Sequence, residues 1–193
     1  MSVRAQKQQQ TRAELIAAAT DLFAQHGFHG TTLDMIAKAA GYTKGAVYSN
    51  FVTKDDLFLA ALEVETANRV AIMQKIIGKA DTDESWERGI VRWFEETLDV
   101  ERGWFLAEVE FSVHIVRSPQ GQQQLEAVYA PLLDAITKLT GRQMGAAAGA
   151  EISRLFMALS FGIGMEHARA PEQTPLGALE FALRRIAPKK PGA

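Results

Sequence analysis

Apolar residues recur at intervals of three and four along nearly the whole chain, and no segment sustains the strict alternation of a half-buried strand, so the pattern predicts an all-α protein. A first stripe, Leu15, Ala18, Ala19, Leu22 and Phe23, opens behind Thr11 and Glu14, whose spacing is that of a capping box, and Gly27 stops it. A second helix is expected over about 33–40, with Thr31 or Thr32 as its N-cap and Asp34 well placed in its first turn. Gly41 breaks it, Thr43 caps a short helix to about Asn50, and a second box, Thr53 with Asp56, opens a long helix towards Lys79.

Beyond the polar link DTDES, Trp86, Ile90, Trp93, Phe94 and Leu98 fall on one face of a helix over about 86–99. The segment 104–117 is apolar almost all round, as a helix buried in a bundle is. Ser118-Pro119 starts the next helix, which Pro131 is expected to kink or divide. The Gly/Ala-rich stretch GRQMGAAAGA reads as a link before a helix over about 151–169, and Thr174-Pro175 starts a last helix lined by Leu176, Leu179, Leu183 and Ile186. The polar residues 1–10 and the tail 188–193 read as flexible ends.

Composition is that of a globular protein: 193 residues, 47% hydrophobic and 23% charged. The overall charge of −2 hides an asymmetry. Residues 1–54 hold six bases against three acids, net +3, and the remainder fifteen against twenty, net −5. A basic head on an acidic body suggests that the head alone meets phosphate. Without cysteine there is neither a disulfide framework nor a thiolate metal site. The four histidines are scattered, no metal-spaced cluster, phosphate loop or nucleophile elbow is present, and no metal or cofactor is expected. No apolar run approaches the roughly 20 residues of a membrane span, and the opening MSVRAQKQQQ lacks the apolar core of a secretory signal, so a cytoplasmic protein without membrane association is expected.

The stretch TTLDMIAKAAGYTKGAVYSNFVTK carries the most specific chemistry. A helix-turn-helix needs a small residue where its helices cross, a glycine-like turn and a branched apolar residue on the second helix; Ala37, Gly41 and Val47 supply them. With Val47 and Phe51 inward, Thr43, Lys44, Tyr48 and Asn50 are left for DNA, and Gly45 lets the backbone approach a phosphate. The same spacing also suits a packed helical hairpin with a charged face. Arg4 and Lys7 suit either a minor-groove arm or a solvated tail.

Flanking positions narrow the choice. Leu22-Phe23, Gly27-Phe28, Thr31-Thr32, Ile36-Ala37, Ala40-Gly41, Lys44-Gly45, Tyr48, Phe51, Lys54 and Leu57-Phe58 together resemble the N-terminal domain of the tetracycline-repressor (TetR/AcrR) family of bacterial transcription regulators. The resemblance covers about 11–62. It implies a helix-turn-helix DNA-binding domain over 11–53 and an effector-binding and dimerisation domain over 54–187. By it, Thr32 contacts phosphate, Thr43, Lys44 and Tyr48 act from the recognition helix, and Lys54 holds the DNA backbone from the fourth helix. Tyr42, Gly45, Ala46 and Asn50 lie where family members also approach DNA. Base reading would fall to Thr43, Lys44, Ala46 and Tyr48, with Lys44 suited to a guanine edge and Ala46 to a thymine methyl. Ala46 and Ser49-Asn50 depart from the commoner family pattern, which leaves the operator sequence open.

The resemblance further implies a homodimer on a palindromic operator in double-stranded DNA, most often a repressor, and a small-molecule effector. In the body, Glu108 and Ser112 lie among Trp104, Phe105, Phe111, Ile115 and Val116. A carboxylate there needs either an arginine such as Arg88 or Arg92, or a wet pocket. Trp86, Trp93, Phe94, Trp104, Glu108, Phe111 and Ser112 are therefore the candidate effector residues, the plainer reading being a core of large side chains. Phe156, Leu159, Ile163, Leu176, Leu179 and Leu183 are the candidate dimer residues, with Gly162 and Gly164 permitting close helix approach. An effector-independent regulator that binds DNA or recruits a partner, with a filled core, is the alternative.

Overall fold

The computed structural model describes residues 3–80, 86–144 and 146–186. Among them the elements are α-helices and one short 3₁₀ turn, as the periodicity predicts. In chain order they are α1 (Val3–Gly30), α2 (Leu33–Ala39), α3 (Lys44–Tyr48), α4 (Lys54–Ala80), α5 (Trp86–Thr97), α6 (Arg102–Ile115), α7 (Pro119–Met144), α8 (Ala146–Arg169), the 3₁₀ turn Pro171–Gln173 and α9 (Leu176–Ile186).

The helix starts differ from expectation where no breaker enforces them. α1 begins at Val3, so the described residues before Thr11 are helical rather than a flexible tail, and Arg4 and Lys7 stand on a helix rather than a loose arm. Ala, Gln, Lys and Arg there all tolerate helix well. Thr11 is consequently not a cap: its hydroxyl donates to the Tyr42 hydroxyl at 3.4 Å. Gly27, at φ 73°, breaks the helix as its position suggested. α7 passes through Pro131 without division. The expected Gly/Ala link is helical on both sides of position 145, in keeping with alanine's propensity. DTDES and the tail 188–193 lie outside the described residues.

The chain forms two compact units whose boundaries do not follow the linear division at residue 54. The first joins residues up to 65 with 103–128, so α6 packs with the helix-turn-helix instead of with the body. Two glycines make that possible. A Cβ on Gly103 would stand 2.2 Å from the Ala24 carbonyl oxygen, so the start of α6 lies backbone-on-backbone against α1. A Cβ on Gly27 would meet Glu110 Oε1 at 2.7 Å, and Glu110 accepts the His29 N–H at 3.2 Å. His114 Nε2 pairs with Asp55 at 3.1 Å, tying the far end of α6 to α4. Phe58 centres this unit's core, stacked on Trp104 (5.1 Å, 7°) and Phe111 (4.3 Å, 23°), with Phe23 at 4.7 Å and Phe28 at 5.4 Å. Aromatic pairs of this kind add about 0.5–1.5 kcal/mol each beyond their burial.

The second unit comprises 66–102 and 129 onward. Its core gathers Met73 from α4, Ile90, Val91 and Phe94 from α5, Leu132 and Ile136 from α7, Phe156 and Ile163 from α8, and Leu179 and Leu183 from α9. A polar knot fastens the end of α8. His167, 7% exposed, bonds Asp99 through Nε2 at 3.0 Å and Thr174 through Nδ1 at 2.8 Å, and Arg102 donates to the Ala168 carbonyl at 2.7 Å.

Candidate nucleic-acid interface

The interface is built by three local devices. Thr32, exposed, caps α2 by accepting the Met35 N–H at 3.2 Å. Thr31, the alternative cap, is instead fully buried and donates to the Gly27 and Leu22 carbonyls. At the turn, Gly41 has φ 73° while its missing side chain would meet nothing within 4 Å, so conformation rather than space requires glycine there. The Tyr42 N–H closes the turn on the Ala37 carbonyl at 2.9 Å. Thr43 then caps α3, accepting the Ala46 N–H at 3.2 Å.

Val47 and Phe51 are buried beneath α3 at 0% and 3% exposure, which fixes which side of that helix faces out. Thr43, Lys44, Gly45 and Tyr48 are exposed and Ala46 is half-buried. The structure thus brings together Thr32, Thr43, Lys44, Gly45, Ala46 and Tyr48 on the helix-turn-helix, all available to a ligand except Ala46, which is partly so.

Three expected contacts are otherwise engaged. The Tyr42 hydroxyl donates to Glu14 on α1 at 2.5 Å, and this bond, with a second from Gln10, holds the Glu14 carboxyl below its ordinary value. Asn50 Nδ2 donates to the Ala46 carbonyl at 2.8 Å and to Ser49, closing the end of α3. Lys54, expected on the DNA backbone, points into its own unit. Its ammonium donates to the Phe28 and Thr31 carbonyls at 2.8 and 3.0 Å and lies 4.3 Å from the Phe28 ring centre. Burial pushes that ammonium below its usual range, against the opposing pull of Asp55 and Glu110. A lysine with two internal carbonyl acceptors serves as a clamp on the α1–α2 connection, a role the chain spacing does not reveal.

Two features of the surface escaped the sequence pattern. Lys44 Nζ sits between both carboxylate oxygens of Asp34, at 2.8 and 3.0 Å, and 6.0 Å from the Tyr48 ring centre. Ten residues separate the pair, a spacing no helical rule flags. Val52, at the α3–α4 turn, is 80% exposed, and only its place outside every apolar stripe hinted at this.

The candidate effector residues divide between the units. Trp104, Glu108, Phe111 and Ser112 belong to the first, where Trp104 and Phe111 stack directly on Phe58 and Glu108 is 1% exposed. These two rings are core of the helix-turn-helix unit rather than walls of a body pocket. Trp93 and Phe94 belong to the second unit, with rings 4.8 Å apart. The Trp86 side chain lies outside the described residues. The indole N–H groups of Trp93 and Trp104, the Ser112 hydroxyl, one oxygen of Glu87 and the Thr66 hydroxyl are buried without a hydrogen-bond partner. Among the candidate dimer residues, Phe156, Ile163, Leu179 and Leu183 are buried in their own chain and Leu176 is half-buried, which leaves Leu159, 38% exposed. At most of these positions the periodicity marked the side of α8 and α9 that is buried in the chain's own core.

Residues 15–61 match the family model described as bacterial regulatory proteins, tetR family. The chain is 27% identical over 135 residues to the HTH-type transcriptional activator FasR of Mycolicibacterium smegmatis, a match covering 69% of this chain and 60% of that one. It is 30% identical over 122 residues to the HTH-type transcriptional repressor AcnR of Corynebacterium glutamicum, covering 62% and 58%. The chain therefore matches less than two thirds of the length of these relatives. In fold it is similar to a TetR-family member from Streptomyces coelicolor A3, with a TM-score of 0.72 and 22% identity over 93% of this chain and 99% of the other.

Proposed function

The chain belongs to the tetR family of bacterial regulatory proteins, and we propose that it is a DNA-binding transcription regulator rather than an enzyme, acting in the cytoplasm as a homodimeric repressor on a palindromic operator. The observation that carries the reading is the exposed face of α3: Thr43, Lys44 and Tyr48 stand outward because Val47 and Phe51 are locked beneath them. Two copies related by a two-fold axis would set their α3 helices in successive major grooves, about 34 Å apart. Thr32 would position on phosphate, while Lys44 and Tyr48 meet base edges.

The dimer reading rests on an apolar surface of the second unit. Leu155, Leu159 and Met165 on α8 are 50%, 38% and 46% exposed, Phe181 on α9 is 61% exposed, and Gly162 has open space where a side chain would stand. That face suits helix pairing with its own two-fold mate. For an effector, the supporting feature is the second unit's apolar core, edged by the unpartnered polar atoms of Thr66, Glu87 and Trp93. An apolar or aromatic compound that binds better to a DNA-incompetent form shifts the population off the operator by that difference in affinity.

The test is selection of binding sites from a pool of random duplexes, followed by gel shift on the enriched sequence. The wild-type chain is expected to enrich an inverted repeat, and Lys44→Ala and Tyr48→Phe to weaken binding to it at least several-fold. Wild-type-like binding by both variants would remove α3 from the recognition role.

A further inference from the structure

The recognition lysine is neutralised before any DNA arrives. Both Asp34 oxygens lie within 3.0 Å of Lys44 Nζ, with the two side chains 62% and 57% exposed. Asp34 stands in the first turn of α2, beside the exposed cap Thr32, and Lys44 is the first residue of α3, so the pair spans the two helices on the side expected to meet DNA.

We propose that Asp34 is a positioning residue for base reading: its carboxylate forms with the Lys44 ammonium a pair of no net charge, whose remaining N–H groups engage a neutral base edge and which adds little to phosphate-only binding. The inference rests on the reading of the chain as a DNA-binding regulator. A lysine ammonium carries three N–H donors. One is given to Asp34 Oδ2, with Oδ1 at ion-pair distance, and the others remain for a further acceptor. The choice of that acceptor is electrostatic. A phosphate brought to Lys44 also meets the field of the Asp34 carboxylate, which offsets part of the ammonium's attraction. A guanine O6 or N7 is a strong acceptor without formal charge and suffers no such repulsion. Asp34 thus separates base reading from phosphate attraction at one side chain. An exposed ion pair is worth only about two- to five-fold in its own equilibrium, so the arrangement can adjust to a base without a large barrier. The hydrogen bond from Lys44 to Asp34, then their charge attraction, raises the lysine above its ordinary value, which keeps it a donor at any physiological pH.

The measurement is the salt dependence of binding to a 30-base-pair duplex of arbitrary sequence, by fluorescence anisotropy on the full chain between 50 and 200 mM KCl. Wild type and the double variant Asp34→Asn with Lys44→Gln, which both carry no net charge at the pair, are expected to share one slope of log affinity against log salt. Asp34→Asn steepens it by about 0.9 per bound copy, so that it loses about 3.5-fold more affinity than wild type over that range. Asp34→Glu behaves as wild type. On selected operator, Asp34→Asn lowers the ratio of specific to non-specific affinity. Asp34→Ser, which keeps a side chain suited to a helix start, stands in if Asp34→Asn fails to fold. A lower slope for the double variant than for wild type, or equal steepening by Asp34→Asn whether Lys or Gln occupies position 44, overturns the proposal. A wild-type chain that binds no DNA at any salt overturns the regulator reading and this inference with it.

Discussion

Lys54 and Tyr42 show how a residue's type can be legible while its direction is not. Both lie in the stretch most specific for DNA binding, yet each reaches back to α1 or its connection: Tyr42 to Glu14, and Lys54 to the Phe28 and Thr31 carbonyls. Lys54→Met keeps the stem over Phe28 and removes the donors. Two carbonyls then lose their partner, and chemical denaturation is expected to show a loss of about 1–3 kcal/mol. Unchanged stability together with a shallower salt slope for DNA would instead put Lys54 on a phosphate. Glu14 supplies a pH signature. Its carboxyl is held below its ordinary value of 4.5, first by Tyr42 and then by Gln10, so the folded chain binds that proton less readily than the unfolded one. The associated stabilisation is present above pH 4.5 and is lost as pH falls through the lower folded value. In Tyr42→Phe, the carboxyl carbon of Glu14 followed by NMR should titrate closer to 4.5; an unmoved midpoint would mean that the hydroxyl is not the cause.

Helices and their caps were readable at most places where a local rule governs them, the box expected at Thr11 and Glu14 being the exception. Thr43 caps α3 as the spacing required, and Thr53 and Asp56 form the expected reciprocal box at α4, with bonds of 2.9 and 3.0 Å. Ser118 likewise accepts the Gly121 N–H at 3.0 Å behind Pro119. Starts and stops were missed where composition merely permits a boundary: residues 3–10 hold no helix breaker, and in the stretch before 151 the alanines outweigh Gly149. The placement of α6 was out of reach for a different reason. Its contact with α1 depends on a bare backbone at Gly103, and a glycine in sequence does not announce what will lie against it. Gly103→Ala forces a methyl into the Ala24 carbonyl oxygen. It is expected to cost at least about 1–3 kcal/mol and to increase hydrogen exchange in α1 and α6 together. Gly177→Ala, with nothing within 4 Å, serves as the neutral comparison.

For the whole molecule, the dimer proposed above turns on which surface meets a second copy. Burial within the chain answers part of it, since Phe156, Ile163, Leu179 and Leu183 are already committed to one core, and Leu155, Leu159 and Phe181 are not. Leu159→Glu combined with Phe181→Glu is expected to yield a folded monomer by light scattering, with operator affinity reduced far more than by loss of one base contact. A dimer that persists would move the interface elsewhere. What the sequence determined by itself was set by neighbours a few residues apart: the helical period, most of the caps, the positive-φ glycine at 41 and the buried anchors Val47 and Phe51 that turn α3 outward. Only the tertiary structure decided which aromatic residues share a core, where Lys54 and Lys44 point, and that α6 joins the helix-turn-helix, as in the bond between His29 and Glu110 across 81 residues. Period and capping are properties of a single helix, repeated identically in any fold that contains it. The partner of a side chain depends on which helices the whole chain packs together, and no short window of residues carries that information.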